Sequence, residues 1–350
     1  MDLNKYSKNG FTGIENIGNT CFLNSCMQII NHTYELNILL DSNKHIEHLK
    51  TDLIDSQALI AWNDLRNVMW SGNGVVTPKR FIHTIHEIAK KKNKELFTGF
   101  SQNDMPEYFM FIIDCMHNSI SRGIKMKISG KAENITDKLA VECYKLLQSL
   151  YEKEYSEIMD LYYGIYVNQL TDINGVKSLS IKPESYFMLD LPIIDGNTIQ
   201  TNIYDCFNLF VKSDTLEGEN AWYNENTKEK EDVKKNVVFW NFPKILVIAL
   251  KRFTPDGQHK INTLIDFPIE NLNLSKYVLG YNRDSFVYDL FGVCNHNGGT
   301  TGGHYSAFVK HISNKWVHFN DNIIESVQNP NKMITPMAYC LFYRKKNTLL

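Results

Sequence analysis

The chain has 350 residues, 43% hydrophobic and 22% charged, a globular balance long enough to bury a core without disulfide or metal staples. A formal net charge of −2 and a pI near 6.6 supply no basic excess for nucleic acid or an anionic membrane, and neither is expected as a partner. No apolar run is long enough to cross a bilayer: residues 237–250 are interrupted by Asn241, Pro243 and Lys244, and the polar start Met1-Asp2-Leu3-Asn4-Lys5-Tyr6 lacks a signal-peptide core.

A first helix is expected from about Cys21 to Ile30, with Leu23, Met27 and Ile30 on one face and Phe22, Cys26 and Ile29 beside them. The patterning predicts further helices over 45–69, 78–92, 102–121 and 136–159. Thr77 reads as a capping hydroxyl with Pro78 at the first helical position. The unbroken apolar run 245–250 reads as a buried strand, with shorter strands over 287–294, 305–310, 315–319 and 338–343. Residues 217–235, rich in Asn, Glu and Lys, read as an exposed hairpin or loop. Helices first and strands later predict an α+β architecture. The seven cysteines are scattered, odd in number and free of C-x-x-C pairs, which predicts a reducing, cytoplasmic or nuclear setting.

Two distant stretches carry the chemistry. Asn16-Ile17-Gly18-Asn19-Thr20-Cys21-Phe22-Leu23-Asn24-Ser25 places a cysteine where a tight turn feeds a helix. A helix N-terminus lowers a thiol pKa, and the turn can aim backbone N–H groups at a developing oxyanion. The side-chain amide of Asn16 or Asn19 can add a donor. The other six cysteines have mostly apolar neighbours and read as small buried hydrophobes. The second stretch is Gly302-Gly303-His304-Tyr305-Ser306-Ala307, followed by Trp316-Val317-His318-Phe319-Asn320-Asp321. His304 can act as base toward a thiol, and Asn320 or Asp321 can accept from its other nitrogen.

Together these segments resemble the ubiquitin-specific proteases, the papain-like cysteine deubiquitinase family. Ile14 to Ser25 is similar to that family's cysteine box, and the two later segments to its histidine box. Gln102-Asn103-Asp104-Met105-Pro106-Glu107-Tyr108-Phe109 resembles its Gln-Gln-Asp-x-x-Glu-Phe helix. Leu250-Lys251-Arg252-Phe253 with Asp266-Phe267-Pro268 resembles a block of its palm. The resemblance implies one catalytic domain over 11–345. A helical thumb would occupy about 11–160, and fingers with a β-rich palm about 161–345. It implies Cys21 as nucleophile, His304 as base, Asn320 holding His304, Asp321 as a second helper, and Asn16 as the oxyanion-hole side chain. It also implies that Asp104 and Glu107 receive the basic tail of ubiquitin. His296 and Tyr305 would flank the channel for that tail, and Gly298-Gly299 would belong to a blocking loop. The partner implied is ubiquitin or a ubiquitinated protein, with the chain acting as a monomer.

One departure stands out. Many relatives hold a zinc in the fingers with two C-x-x-C pairs, whereas Thr171-Asp172-Ile173-Asn174 and Asn224-Glu225-Asn226-Thr227 stand near those places. Structural zinc needs thiolate or imidazole ligands, so no zinc and no other cofactor is expected. A thiol isopeptidase acting on ubiquitin is the expected function. One alternative is a module that binds ubiquitin without cutting it, although none of the catalytic residue types is missing. Another is a protease for a different ubiquitin-like modifier.

Overall fold

A computed structural model describes residues 3–254 and 256–346. The first part of the chain is helical. It comprises α1 (Cys21–Asn31), α2 (Tyr34–Asp41), α3 (Ser56–Ser71), α4 (Lys79–Lys91), α5 (Met105–Ile120), α6 (Ile135–Glu154) and α7 (Glu157–Tyr162). Two short parallel strands, β1 (Thr12–Ile14) and β2 (Gly74–Val76), lie among them. From Gly164 strands take over: β3 (Gly164–Asp172), β4 (Ser178–Tyr186), β5 (Leu189–Leu191), and the small hairpin of β6 (Ile194–Asp195) and β7 (Thr198–Ile199). Helix α8 (Ile203–Phe210) precedes β8 (Asp214–Leu216), β9 (Trp222–Asn224), β10 (Glu229–Glu231), β11 (Val233–Asn241) and β12 (Ile245–Leu250). The chain closes with β13 (Leu272–Asn273), β14 (Val287–Gly298), β15 (Gly303–Lys310), β16 (Trp316–Asn320), β17 (Ile323–Val327) and β18 (Ala338–Lys345).

The palm is one large sheet of order β17-β16-β15-β14-β18-β12-β5, and the fingers a four-stranded sheet β4-β3-β11-β8. The run 245–250 is continuous in apolar residues because both faces of β12 are covered. Ile245, Val247 and Ala249 join the core shared with the thumb helices, while Leu246, Ile248 and Leu250 join a second core with α8 on the far face. Helix α1 lies between α5 and the β14–β16 part of the sheet, and every one of its residues is buried. Its N-terminus therefore meets the boundary between thumb and palm.

Several local expectations give way to tertiary contacts. The stretch 45–69 is not one helix. Asn43 takes a left-handed φ of +57°, Lys44–His48 form a 3₁₀ turn, and the Ser56 hydroxyl donates to Lys50 O before α3 begins. Thr77 does not cap α4, because its hydroxyl donates to Glu15 Oε2 at 2.6 Å, and Pro78 stands at the cap position outside the helix. The helix expected over 136–159 breaks at Tyr155, where Ser156 caps the separate α7 by accepting from Met159 N. The helix expected from 102 starts at Met105, behind Asp104 as cap. Sequence patterning does not reveal β3 or β4, whose residues are largely half-exposed, or β17, which is mostly exposed. Residues 217–235 do contain a hairpin, β9–β10.

The finger tips are closed by hydrogen bonds of their own. Asp172 Oδ1 accepts from Val176 N at 2.6 Å and Lys177 N at 2.8 Å across the β3–β4 turn. Asn224 Oδ1 accepts from Asn226 N, and both Asn224 and Thr227 donate to Glu231 Oε1 across the β9–β10 turn. These carboxylate, amide and hydroxyl groups do not match the donor set of a structural zinc. The seven cysteines are all free and buried, and none lies at either tip.

Candidate active site

The turn before Cys21 is built by its own polar residues. Gly18 (φ +125°) and Asn19 (φ +52°) adopt backbone that favours glycine and tolerates asparagine. Asn16 Oδ1 accepts from Gly18 N at 3.1 Å and Thr20 N at 3.2 Å, and Asn19 Nδ2 donates to Phe100 O at 2.9 Å. Cys21 then opens α1 without a side-chain cap, so the first helical N–H groups remain directed at the sulfur and the space before it.

Cys21 is only 4% exposed, and burial pushes its thiol above the ordinary value, with the Asp321 charge adding to the rise. Backbone hydrogen bonds from Tyr305, Phe22 and Cys21 itself oppose the rise without cancelling it. The expectation of a thiol lowered by its helix N-terminus is therefore corrected: desolvation at the thumb–palm boundary outweighs the helix end. The rise favours the thiol over the thiolate at this position.

Helix α1 packs against β15, the strand that carries His304, with the Tyr305 backbone among the groups acting on the Cys21 thiol. His304 is half-exposed, and its Nε2 lies 2.5 Å from Asn320 Oδ1, which can only accept there. That assigns the proton to Nε2 and leaves Nδ1 as the basic nitrogen. Asp321 Oδ2 stands farther off, 4.0 Å from the same Nε2. Asn320 is thus the direct orienting partner. Asp321 instead accepts from Asn16 Nδ2 at 3.0 Å and from Asn24 Nδ2 at 2.8 Å. Asn16, expected as an oxyanion donor, spends its carbonyl on the turn and one amide hydrogen on Asp321, keeping one amide hydrogen.

A groove of about 450 Å³ runs to the residues on either side of His304, between Gln102, Asp104 and Glu107 of the thumb and Phe253, His296, Tyr305 and Tyr339 of the palm. Asp104 Oδ1 caps α5 by accepting from Glu107 N, and Oδ2 accepts from Tyr339 at 2.8 Å and Tyr305 at 3.4 Å. Burial raises the Asp104 pKa despite these donors; burial and the neighbouring Asp104 charge raise that of Glu107. His296 is 3% exposed, stacked obliquely on Tyr305 at 4.6 Å, and lowered to about 4 by burial and by the Lys260 charge, so it is neutral. A Cβ on Gly303 would come within 2.4 Å of His296 Nε2, which explains why glycine precedes His304. Gly298 ends β14, and Gly299 N donates to Gly302 O to close the turn into β15.

Three residues of the site receive no role from sequence reasoning. Gln102 Oε1 accepts from Gly303 N at 2.8 Å and pins the glycine turn. Tyr339 holds Asp104, and Asn24 holds Asp321. Gln102 and Asn24 sit inside quoted motifs, so their position was a signal; Tyr339 carried none. Arg252 explains the Leu-Lys-Arg-Phe block. It is fully buried and donates to the carbonyls of Ala338, Ile261 and Thr263, fixing the wall from which Phe253 faces the groove.

Residues 12–343 match the ubiquitin carboxyl-terminal hydrolase family. The chain is 32% identical to Ubiquitin carboxyl-terminal hydrolase Usp2 of Drosophila melanogaster, over 96% of this chain and 35% of that protein. It is 31% identical to human Ubiquitin carboxyl-terminal hydrolase 2, over 97% of this chain and 56% of that protein. Against a probable ubiquitin carboxyl-terminal hydrolase of Acanthamoeba polyphaga mimivirus the identity is 25%, over 98% of this chain and 92% of that protein. The chain thus spans about a third of the fly protein's length and little more than half of the human one's. Its fold is similar to a chain of a SAGA DUB module containing Ubp8, bound to monoubiquitin, with a TM-score of 0.75, 23% identity, and 98% of this chain and 70% of that one covered. With the thiol, the oriented histidine and the groove in place on that fold, the chain belongs to the ubiquitin carboxyl-terminal hydrolase family.

Proposed function

We propose that this protein is a cysteine-type deubiquitinase that hydrolyses the bond after the C-terminal glycine of ubiquitin. The observation that carries the reading is the packing of α1, which opens on Cys21, against β15, which carries a His304 whose Nε2 is held by Asn320. His304 Nδ1 takes the thiol proton as Sγ attacks the glycine carbonyl. The remaining Asn16 amide hydrogen and the first N–H groups of α1 receive the oxyanion. The protonated His304 then gives its proton to the departing lysine amine, and water activated by His304 hydrolyses the thioester. No metal or cofactor enters this sequence. The seven buried, unpaired cysteines support an intracellular setting, cytoplasmic or nuclear.

The test is incubation with ubiquitin bearing a fluorogenic C-terminal amide, in parallel with ubiquitin carrying a C-terminal alkyne warhead. Fluorophore release and a covalent adduct mapped to Cys21 are expected. Absence of release, or an adduct on another residue, defeats the reading. A panel of other ubiquitin-like modifiers decides the modifier: faster release from one of them would reassign the substrate.

The groove carboxylates give a second expected result. Asp104 and Glu107 have raised pKa values, so the negative charge offered to a basic tail disappears earlier than usual as pH falls. KM for the ubiquitin amide should rise at the acid end. Asp104→Asn keeps an oxygen to cap α5, removes the charge, and turns an amide nitrogen toward the Tyr305 and Tyr339 hydroxyls that donate to Oδ2. Because the folded-state pKa is raised, protonation favours the native protein at low pH and is lost as pH rises. Asp104→Asn should therefore raise KM by about tenfold at pH 7, with the gap to the parent closing on acidification as the parent's own carboxylate is protonated. An unchanged KM would remove Asp104 from tail recognition.

A further inference from the structure

We infer that Asn24 is a positioning residue for the proposed hydrolysis, acting through the Asp321 carboxylate to aim the Asn16 amide at the oxyanion. The inference rests on the deubiquitinase reading and deepens it. Asn24 lies one turn after Cys21 on α1 and is 1% exposed, so it touches no substrate. Its Nδ2 donates to Asp321 Oδ1 at 2.8 Å, with longer contacts to Ile14 O at 3.3 Å and Glu15 O at 3.4 Å. The same carboxylate takes the Asn16 amide on its other oxygen, Oδ2, at 3.0 Å. Asp321 is thus a two-ended bracket: one end is fixed to the nucleophile's helix and the other orients the amide before the nucleophile.

Two further observations set Asn24 apart from an ordinary buried amide. Its Oδ1 is buried without a hydrogen-bond partner, an unfavourable state that a flip would not cure. Flipping would turn Oδ1 onto the Asp321 carboxylate and the two backbone carbonyls, so the amide is locked with its donor toward Asp321. The bracket is also braced through the backbone. Asp321 sits in the turn between β16 and β17 with a left-handed φ of +53°, and its carbonyl accepts from Ile14 N at 3.0 Å. At Gly13 the β1 backbone presses so close on this turn that a Cβ would lie 2.9 Å from the Asn322 backbone. The turn is therefore held to the thumb without Asn24, and what Asn24 adds is the direction of the carboxylate.

The test compares the parent, Asn24→Ala, Asn16→Ala and the double variant in the fluorogenic assay, with alkylation of Cys21 by iodoacetamide as a separate readout. Alkylation generates no carbonyl oxyanion, so a group that serves only the oxyanion leaves it unmoved. Asn24→Ala should lower kcat about 10- to 100-fold, below the loss of a whole oxyanion donor, with KM and the alkylation rate within about twofold. The double variant should be no slower than Asn16→Ala alone, because the two residues act in series. Additive losses in the double variant, or a matching fall in alkylation, would overturn the inference and make Asn24 a structural support of α1. If Asn24→Ala does not fold, Asp321→Asn, whose new amide cannot accept from both neighbours, replaces it with the same expected split and the same overturning outcomes. An inactive parent would instead defeat the deubiquitinase reading, so the two failures remain distinguishable.

Discussion

Cys21→Ala should abolish release of a fluorogenic amide from ubiquitin, by about 10⁵-fold or more, while leaving the fold and the affinity for ubiquitin intact. The size of the loss follows from chemistry. Without Sγ there is no covalent intermediate, and only the donors and the groove remain to assist direct attack by water. Survival of the fold follows from position. Cys21 is the first residue of α1, where alanine is a good helix former, and the change removes one atom from a site at which burial already disfavours a thiolate. Affinity should persist because the groove residues Asp104, Glu107, Phe253 and Tyr339 are untouched. The checks are a progress curve at high enzyme, a thermal melt and a calorimetric titration with ubiquitin. Residual release above one part in a hundred would point to another nucleophile.

His304→Ala should cost about 10³- to 10⁴-fold in kcat with little loss of stability, since the side chain is half-exposed and makes one hydrogen bond, to Asn320. Its signature is the pH profile. The thiol is raised by burial, so without an internal base its deprotonation depends on hydroxide. The variant's rate should climb by about tenfold per pH unit and keep climbing where an ordinary thiol would level off. A parental profile at reduced height would show that the base lies elsewhere. Asn320→Ala should fall between parent and His304→Ala, because it frees the imidazole to turn without removing it. Asn320 carries no charge, so its contribution is orientation.

The local parts of this site were readable in the sequence because their causes are local. A Gly-Asn turn needs positive φ, the helix after it needs only its own residues, and β12 announces itself by six successive apolar side chains. What patterning missed depends on partners far along the chain. Tyr339 reaches Asp104 across 235 residues, Asn24 reaches Asp321 across 297, and Gln102 reaches Gly303 across 201. The fingers were hidden for a different reason: β3 and β4 are largely half-exposed, so no clean alternation marks them. Helix ends were displaced where a hydroxyl found a tertiary partner, as Thr77 found Glu15.

The sequence by itself determined the candidate thiol and histidine, their order and the family motifs around them. It also determined the absence of thiolate donors at the finger segments, since that is a matter of residue type alone. Tertiary structure decided three things: that the Cys21 thiol sits high and not low, that Asn320 and not Asp321 holds His304 directly, and that Asp321 serves Asn16 and Asn24. The reason is common to all three. Burial and hydrogen-bond geometry are sums over neighbours brought together by folding, and a helix end or a motif position fixes only the share contributed by the nearest few residues.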